Sequence, residues 1–339
     1  MIVKVSDCDC TLWLPVFALH FPQTALFYSL TVAELILSLI SCSLLVRTIR
    51  AIFSSFVFHK NLNLVLIWTI AMWIESLVFK IVYVFYSTGI VEVGMSANQT
   101  NSWYSEDDLM FPTIIPNSTL LPLHIACILR WHYFYSLASQ MFFFAVERCC
   151  ATYFILDYEQ KNRIYIFYSI FIASNAFSLP MSFLTYYTYI RFTAAFSYIA
   201  IPNIAAFVMI ICSYIVNKRI MKKFGEGADN YTLAMRFQAH ENIKAMKLIR
   251  QIIFCGFIFV ILGLSCIFLM VLNIFPSINV AIVVLFEIIA HQNMLILCPV
   301  FLMAVNKWRD KPAEKMSRSI HQDQNEIEVY FKQLKTAWK

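Results

Sequence analysis

Charged and apolar positions separate along this chain into blocks. Seven apolar runs, at about 24–46, 62–86, 123–146, 164–186, 196–216, 252–274 and 280–305, alternate with connections that hold most of the charge. Each run approaches or exceeds the roughly 20 helical residues needed to cross about 30 Å of hydrocarbon. The fourth, fifth and sixth contain no Asp, Glu, Lys or Arg. A segment in lipid must satisfy its own backbone groups, so the runs predict helices. The expected fold is all-α and integral to the membrane: a seven-transmembrane helix bundle over residues 24–305, after an N-terminal segment 1–23 and before a tail 306–339. The first 23 residues lack a basic stretch followed by an apolar core and cleavage site, so the first run is expected to act as the targeting signal and stay in the membrane.

Composition supports this. Hydrophobic residues make up 60% of the chain and charged residues 14%, against about 45–50% and 25% in soluble domains. The net charge of +6 would suit a nucleic-acid partner, but the distribution of Lys and Arg argues against one. Of 26 basic residues, 22 fall on one side: the connections after the first, third and fifth runs, and the tail. Basic loops face the cytosol, so the N-terminus is expected outside and the C-terminus inside. Two glycosylation sequons, beginning at Asn98 and Asn117, lie in the long connection before the third run, which has no Lys or Arg and is assigned outside.

Several strings then point to a family. These are Trp13-Leu-Pro-Val-Phe17, His59-Lys-Asn-Leu62, Glu147-Arg148 followed by Ala151-Thr-Tyr-Phe154 and Asp157-Tyr-Glu159, and Arg236-Phe-Gln-Ala-His-Glu-Asn-Ile-Lys244. Together they resemble the nematode serpentine chemoreceptors, most of all the Sre (epsilon) class. The resemblance implies a sensory receptor of the plasma membrane, in which a small external ligand activates a cytosolic heterotrimeric G protein. It also implies that Glu147 and Arg148, at the cytosolic end of the third helix, form the G protein switch. The chain departs from the common rhodopsin-like pattern. Glu147-Arg148-Cys149 stands in place of Asp-Arg-Tyr, Cys298-Pro299 in place of Asn-Pro, and the sixth run has no proline. Cys127 lies where such receptors anchor a disulfide, yet the connection 187–195 has no cysteine to meet it.

Charges within spans cost a few kcal/mol each unless paired or hydrated, which makes them candidate functional residues. At 1.5 Å per residue, Lys80, Arg130 and Glu287 all lie roughly 9–10 Å below the outer surface. They are expected to form a cluster at the floor of an outer pocket. Two positive groups against one negative favour a polar or anionic ligand. Glu75 and His291 are expected in a second layer roughly 16 Å down, with Glu34 near it. The competing reading is structural: Lys80 and Arg130 snorkel to headgroups and the deeper acids are protonated.

Other features narrow the function. The third span has no aspartate to pair an amine ligand, and the seventh has no lysine for a Schiff base. Hydrolase, metalloprotease and paired-aspartate motifs are missing from the spans, so no enzyme, metal or cofactor is expected. A multi-span transporter or channel is the alternative, but no internal repeat is evident and only six glycines are present. Cys8, Cys10 and Cys127 are the outer disulfide candidates, and Cys149 and Cys150 are positioned for palmitoylation. Pro180, Pro202 and Pro299 predict kinks. The basic connection 217–251 predicts two helical extensions that can meet an acidic partner or membrane lipid, and spaced apolar residues in the tail suit a helix on the inner leaflet or a disordered segment.

Overall fold

The computed structural model describes residues 2–5, 10–16, 25–54, 59–92, 113–114, 120–156, 158, 163–190, 192–225, 233–271, 274–275 and 278–309. Asn98, Asn117, Cys8 and the tail from residue 310 lie outside the described residues. The helices are α1 (Ala25–Phe53), α2 (Lys60–Ala71), α3 (Trp73–Ser87), α4 (Leu121–Tyr153), α5 (Ile164–Tyr186), α6 (Phe192–Gly225), α7 (Leu233–Val271), α8 (Asn279–His291) and α9 (Met294–Arg309). Three strands, β1 (Ile2–Val5), β2 (Cys10–Trp13) and β3 (Thr113–Ile114), pair in the order β2-β1-β3.

Six segments are long and apolar enough to cross a membrane among the described residues: α1, α2 with α3, α5, and most of α6, α7 and α8 with α9. The remaining helix, α4, is 33 residues long, about 50 Å. It is less apolar because it is the central helix. It packs against α2, α3, α5, α6 and α7, and its Arg130, His132, Gln140, Glu147 and Arg148 are buried against those neighbours. The proline positions fall inside α5, α6 and α9. The connection after the fifth run is short because α6 continues to Gly225 and α7 begins at Leu233.

Two features go beyond the predicted elements. The N-terminal segment contributes the small sheet, with β1 antiparallel to β2 and parallel to β3. Its Val3, Val5 and Leu12, with Leu14 and Val16, pack on Phe27, Phe79, Tyr83, Leu123 and Val284 at the N-terminal end of the bundle. The second feature is that the seventh run is broken at Gln292-Asn293, whereas the second run continues through Met72 with helical backbone angles and the Met72 N–H bonded to Trp68 O. At the seventh-run break, the Leu295 N–H bonds to Gln292 O instead of reaching back to His291. Gln292 and Asn293 turn their side chains to neighbouring helices: Gln292 Nε2 donates to Ser38 Oγ at 2.8 Å, and Asn293 Nδ2 donates to Tyr133 Oη at 2.5 Å. The cost of interrupting the helix is offset by these buried partners.

Candidate functional site

The outer cluster is built from four helices, α1, α3, α4 and α8. Lys80 of α3 and Glu34 of α1 form an ion pair at 2.6 Å, both buried. Side chains lean toward the N-terminus of their own helix. Since α1 and α3 run in opposite directions, Lys80 and Glu34 lean toward each other across their difference in depth. The Glu34 backbone stays near the deeper layer, where its carbonyl accepts from Gln292 Nε2 at 3.3 Å. Arg130 of α4 has Nη2 at 3.9 Å from Glu287 Oε2 of α8, and its Nη1 donates to Ser76 Oγ. The rings of Phe134, Phe79 and Tyr133 surround its guanidinium at 4.5, 5.2 and 5.8 Å. Such ring contacts help a buried cation remain charged.

Below this lies His291. Its Nδ1 is 2.8 Å from Ser76 Oγ and its Nε2 is 3.2 Å from Ser38 Oγ. Ser76 therefore links Arg130 to His291. The structure thus brings Lys80, Arg130, Glu287 and His291 into one buried group, with Glu34, Ser76 and Ser38 added. Glu75 is elsewhere: its carboxylate meets His132 Nδ1 at 2.7 Å. Glu75 and Ser76 are adjacent on a helix, so they point about 100° apart, and only Ser76 faces the cluster. Two cations now face two carboxylates, so the surplus positive charge expected from the sequence is absent from this group.

The second site lies at the other end of α4. Glu147 and Arg148 are both buried, and Arg148 Nε and Nη2 donate to the Glu147 carboxylate at 2.5 and 2.6 Å. Four further elements close on this pair, directly or through one intermediate. Asn242 of α7 accepts from Arg148 Nη1 at 3.0 Å and donates to Asn217 of α6 at 3.1 Å. Tyr158, in the connection after α4, donates to Glu147 Oε1 at 2.8 Å. Asn61 of α2 donates to Tyr158 Oη at 3.3 Å, while the His59 ring packs on the Tyr158 ring at 4.1 Å. Burial, and next the neighbouring Glu147, push the Tyr158 hydroxyl well above its ordinary range, so it remains a donor. Burial lowers the His59 pKa, with Glu147 opposing, which favours the neutral ring.

The strings that were singled out in the sequence therefore meet in space. His59 and Asn61, Glu147 and Arg148, Tyr158, and Asn242 come from four separate strings and share one buried network. At the opposite end, Trp13 packs edge-on against Trp131 at 5.4 Å and accepts the Trp131 indole N–H at its carbonyl, 2.8 Å away. The Sre G protein-coupled chemoreceptor family matches residues 1–339, the whole span that carries these strings.

The chain belongs to the Sre family. It is similar to serpentine receptor class epsilon-45 of Caenorhabditis elegans, at 26% identity over 99% of both chains. It is also similar to epsilon-37 of the same organism, at 26% identity over 100% of this chain and 99% of the relative, and to epsilon-38, at 23% identity over the full length of both. No solved structure matches. This Sre chain is a multi-pass membrane protein with a serpentine-receptor fold. Its Cys127 is free and buried, and Cys10 is the disulfide-bonded cysteine among the described residues. No group of His, Cys, Asp and Glu that could hold a metal ion occurs among the described residues.

Several partners in this Sre receptor escaped the sequence reading. Asn61, Tyr158 and Asn242 lay inside quoted strings, but nothing local separates them from their neighbours. Ser76 had a usable signal: it stands four residues before Lys80 and shares its helix face. His132 had none.

Proposed function

We propose that this receptor binds a small external ligand in the outer half of the bundle and activates a heterotrimeric G protein at its cytosolic end, from the plasma membrane. The observation that carries the reading is the Glu147–Arg148 pair. It is fully buried, and α2, α6, α7 and the connection after α4 each reach it directly or through one intermediate. A charge pair held by side chains from several helices is a two-state element: moving α7 away from α4 releases Arg148 Nη1 and opens the inner end of the bundle. The basic residues of α6 and α7 beyond the bundle suit an acidic partner face or anionic lipid. The test is Arg148→Ala in cells, with surface expression measured alongside calcium or cAMP responses to a ligand panel. Expression retained with signalling lost supports the reading, and normal signalling removes it.

A transporter is the second reading, favoured by the break in the seventh run, since interrupted helices form transporter sites. Here the Trp73 indole takes the carbonyl of His291 at the break, so that oxygen is not offered to a substrate. Ligand-driven flux without a G protein would favour the transporter.

A further inference from the structure

One carboxylate of this receptor borders the lipid. On α3 the exposed apolar residues Ile74, Val78, Ile81 and Phe85 form the stripe that faces hydrocarbon. Glu75 sits at the edge of that stripe, next to Ile74 and one turn from Val78, and its side chain is 24% exposed. It lies in the layer roughly 16 Å below the outer surface, within the apolar core of a bilayer. Its Oε2 meets His132 Nδ1 at 2.7 Å, and its Oε1 has no hydrogen-bond partner among the described residues. An unmet carboxylate oxygen in hydrocarbon is costly, and ionisable groups at such depth ordinarily face the bundle interior.

The surroundings of Glu75 form a groove. α5 packs on α2 and on α4, with Trp68 of α2 edge-on to Phe171 at 5.4 Å, but α3 makes no comparable contact with α5. Along α3 the two helices therefore diverge, and α4 floors the gap between them. Ile125, two turns above His132 on the same α4 face, is 53% exposed. At the inner end the floor is polar. His132 Nε2 lies 3.4 Å from Ser136 Oγ, which donates to Ser178 Oγ of α5 at 3.0 Å. The groove thus opens to the bilayer beside apolar Val78 and Ile125 and ends at an acceptor, Glu75 Oε1. The space inside the bundle among α1, α3 and α8, lined by Glu34, Lys80, Tyr83 and Glu287, holds only about one water molecule. A larger guest finds no room there.

Position and polarity select one chemistry. A guest in this groove must partition into hydrocarbon and bring a hydrogen-bond donor. A net charge would add its own cost at this depth, and Glu75 already has His132 as its charge partner. We propose that the groove between α3 and α5 binds an uncharged, bilayer-soluble amphiphile with a hydroxyl donor, such as a long-chain alcohol, which enters from the membrane and donates to Glu75. The proposal rests on reading this chain as a ligand-binding receptor, and it names the site and the phase from which the ligand arrives. It replaces the anionic ligand suggested by counting charges.

The experiment uses the full-length receptor in lipid nanodiscs, without a G protein. The probe is decanol carrying a photoactivatable diazirine, and labelled peptides are identified by mass spectrometry. Labelling of α3 and α5 peptides should saturate, and decanol should displace it about tenfold better than decyl methyl ether, decanoate or decylamine. Glu75→Gln exchanges a charged acceptor for a neutral one and should weaken binding by about tenfold. Val78→Trp leaves the Glu75–His132 pair intact and places a bulky ring over the groove. It should abolish labelling, and it covers the case in which Glu75→Gln does not fold. Labelling that never saturates, equal or better displacement by the ether or a charged analogue, or labelling that persists in both variants overturns the proposal. Pairing of receptors through α3, with a second copy filling the groove, overturns it as well. Saturable binding by a receptor that never activates a G protein leaves the site standing and defeats the signalling reading alone. G protein responses to other ligands, with no alcohol bound in the groove, defeat the site alone.

Discussion

The indole N–H of Trp73 donates to the carbonyl oxygen of His291 at 2.6 Å, and the two rings stack with centroids 5.1 Å apart. Trp73 opens α3, and His291 closes α8 immediately before the break at Gln292. The indole therefore satisfies the carbonyl that the break in the seventh run leaves without its helical partner. Trp73→Phe keeps a stacked ring and orphans the carbonyl. Such a loss costs about 1–3 kcal/mol. The purified receptor should melt at a lower temperature, and Trp73→Ala lower still.

Tyr158 holds Glu147 from the connection after α4, and Asn61 holds Tyr158. Tyr158→Phe removes the donor while leaving the ring under His59. The Glu147–Arg148 pair loses one restraint, so basal G protein activity should rise severalfold at unchanged surface expression. Basal activity equal to the wild type would detach Tyr158 from the switch.

Asn242 accepts from Arg148 across the α4–α7 contact. Replacing the amide by a carboxylate in Asn242→Asp turns this hydrogen bond into an ion pair. Asn242→Ala removes it. Opposite signs should follow: lower basal signalling for the aspartate and higher for the alanine, read by the same assay. Equal effects in one direction would point to disrupted packing instead.

Lys80 and Glu34 are paired at 2.6 Å and almost wholly buried. Removing one partner strands a charge, at about 3–5 kcal/mol. Lys80→Met and Glu34→Gln should each lower folded yield sharply, and the double variant should recover much of it. Additive losses in a double-mutant cycle would show that the pair is not coupled. The exchange of Arg130 and Glu287 should rescue less, because those groups stand 3.9 Å apart.

Much of this architecture is legible in the order of residues. Hydrophobic runs mark the membrane helices because lipid forces each to be apolar over a set length. Depth counting puts Lys80, Arg130 and Glu287 at one level, and the structure groups them. It does not give the partners of Glu34 and Glu75, for two different reasons. Depth measured along the backbone ignores the lean of a long side chain, which carries Lys80 to Glu34. Depth also says nothing of azimuth, which turns Glu75 away to His132. The break at Gln292 has no glycine or proline to announce it, since it is stabilised by contacts between distant helices. The partners of Arg148 were hidden for the same reason: Asn242 lies 94 residues away, and no local pattern records such a meeting.

The strands at the N-terminal end have a bearing on how the bundle holds together. Val3 and Val16 are completely shielded there, in one apolar cluster with Phe27, Phe79, Tyr83 and Val284. Those four side chains come from α1, α3 and α8, helices far apart in the chain. Stripping the strands away would therefore uncover apolar surface on all three helices at once, which makes the first sixteen residues a clasp and not an appendage.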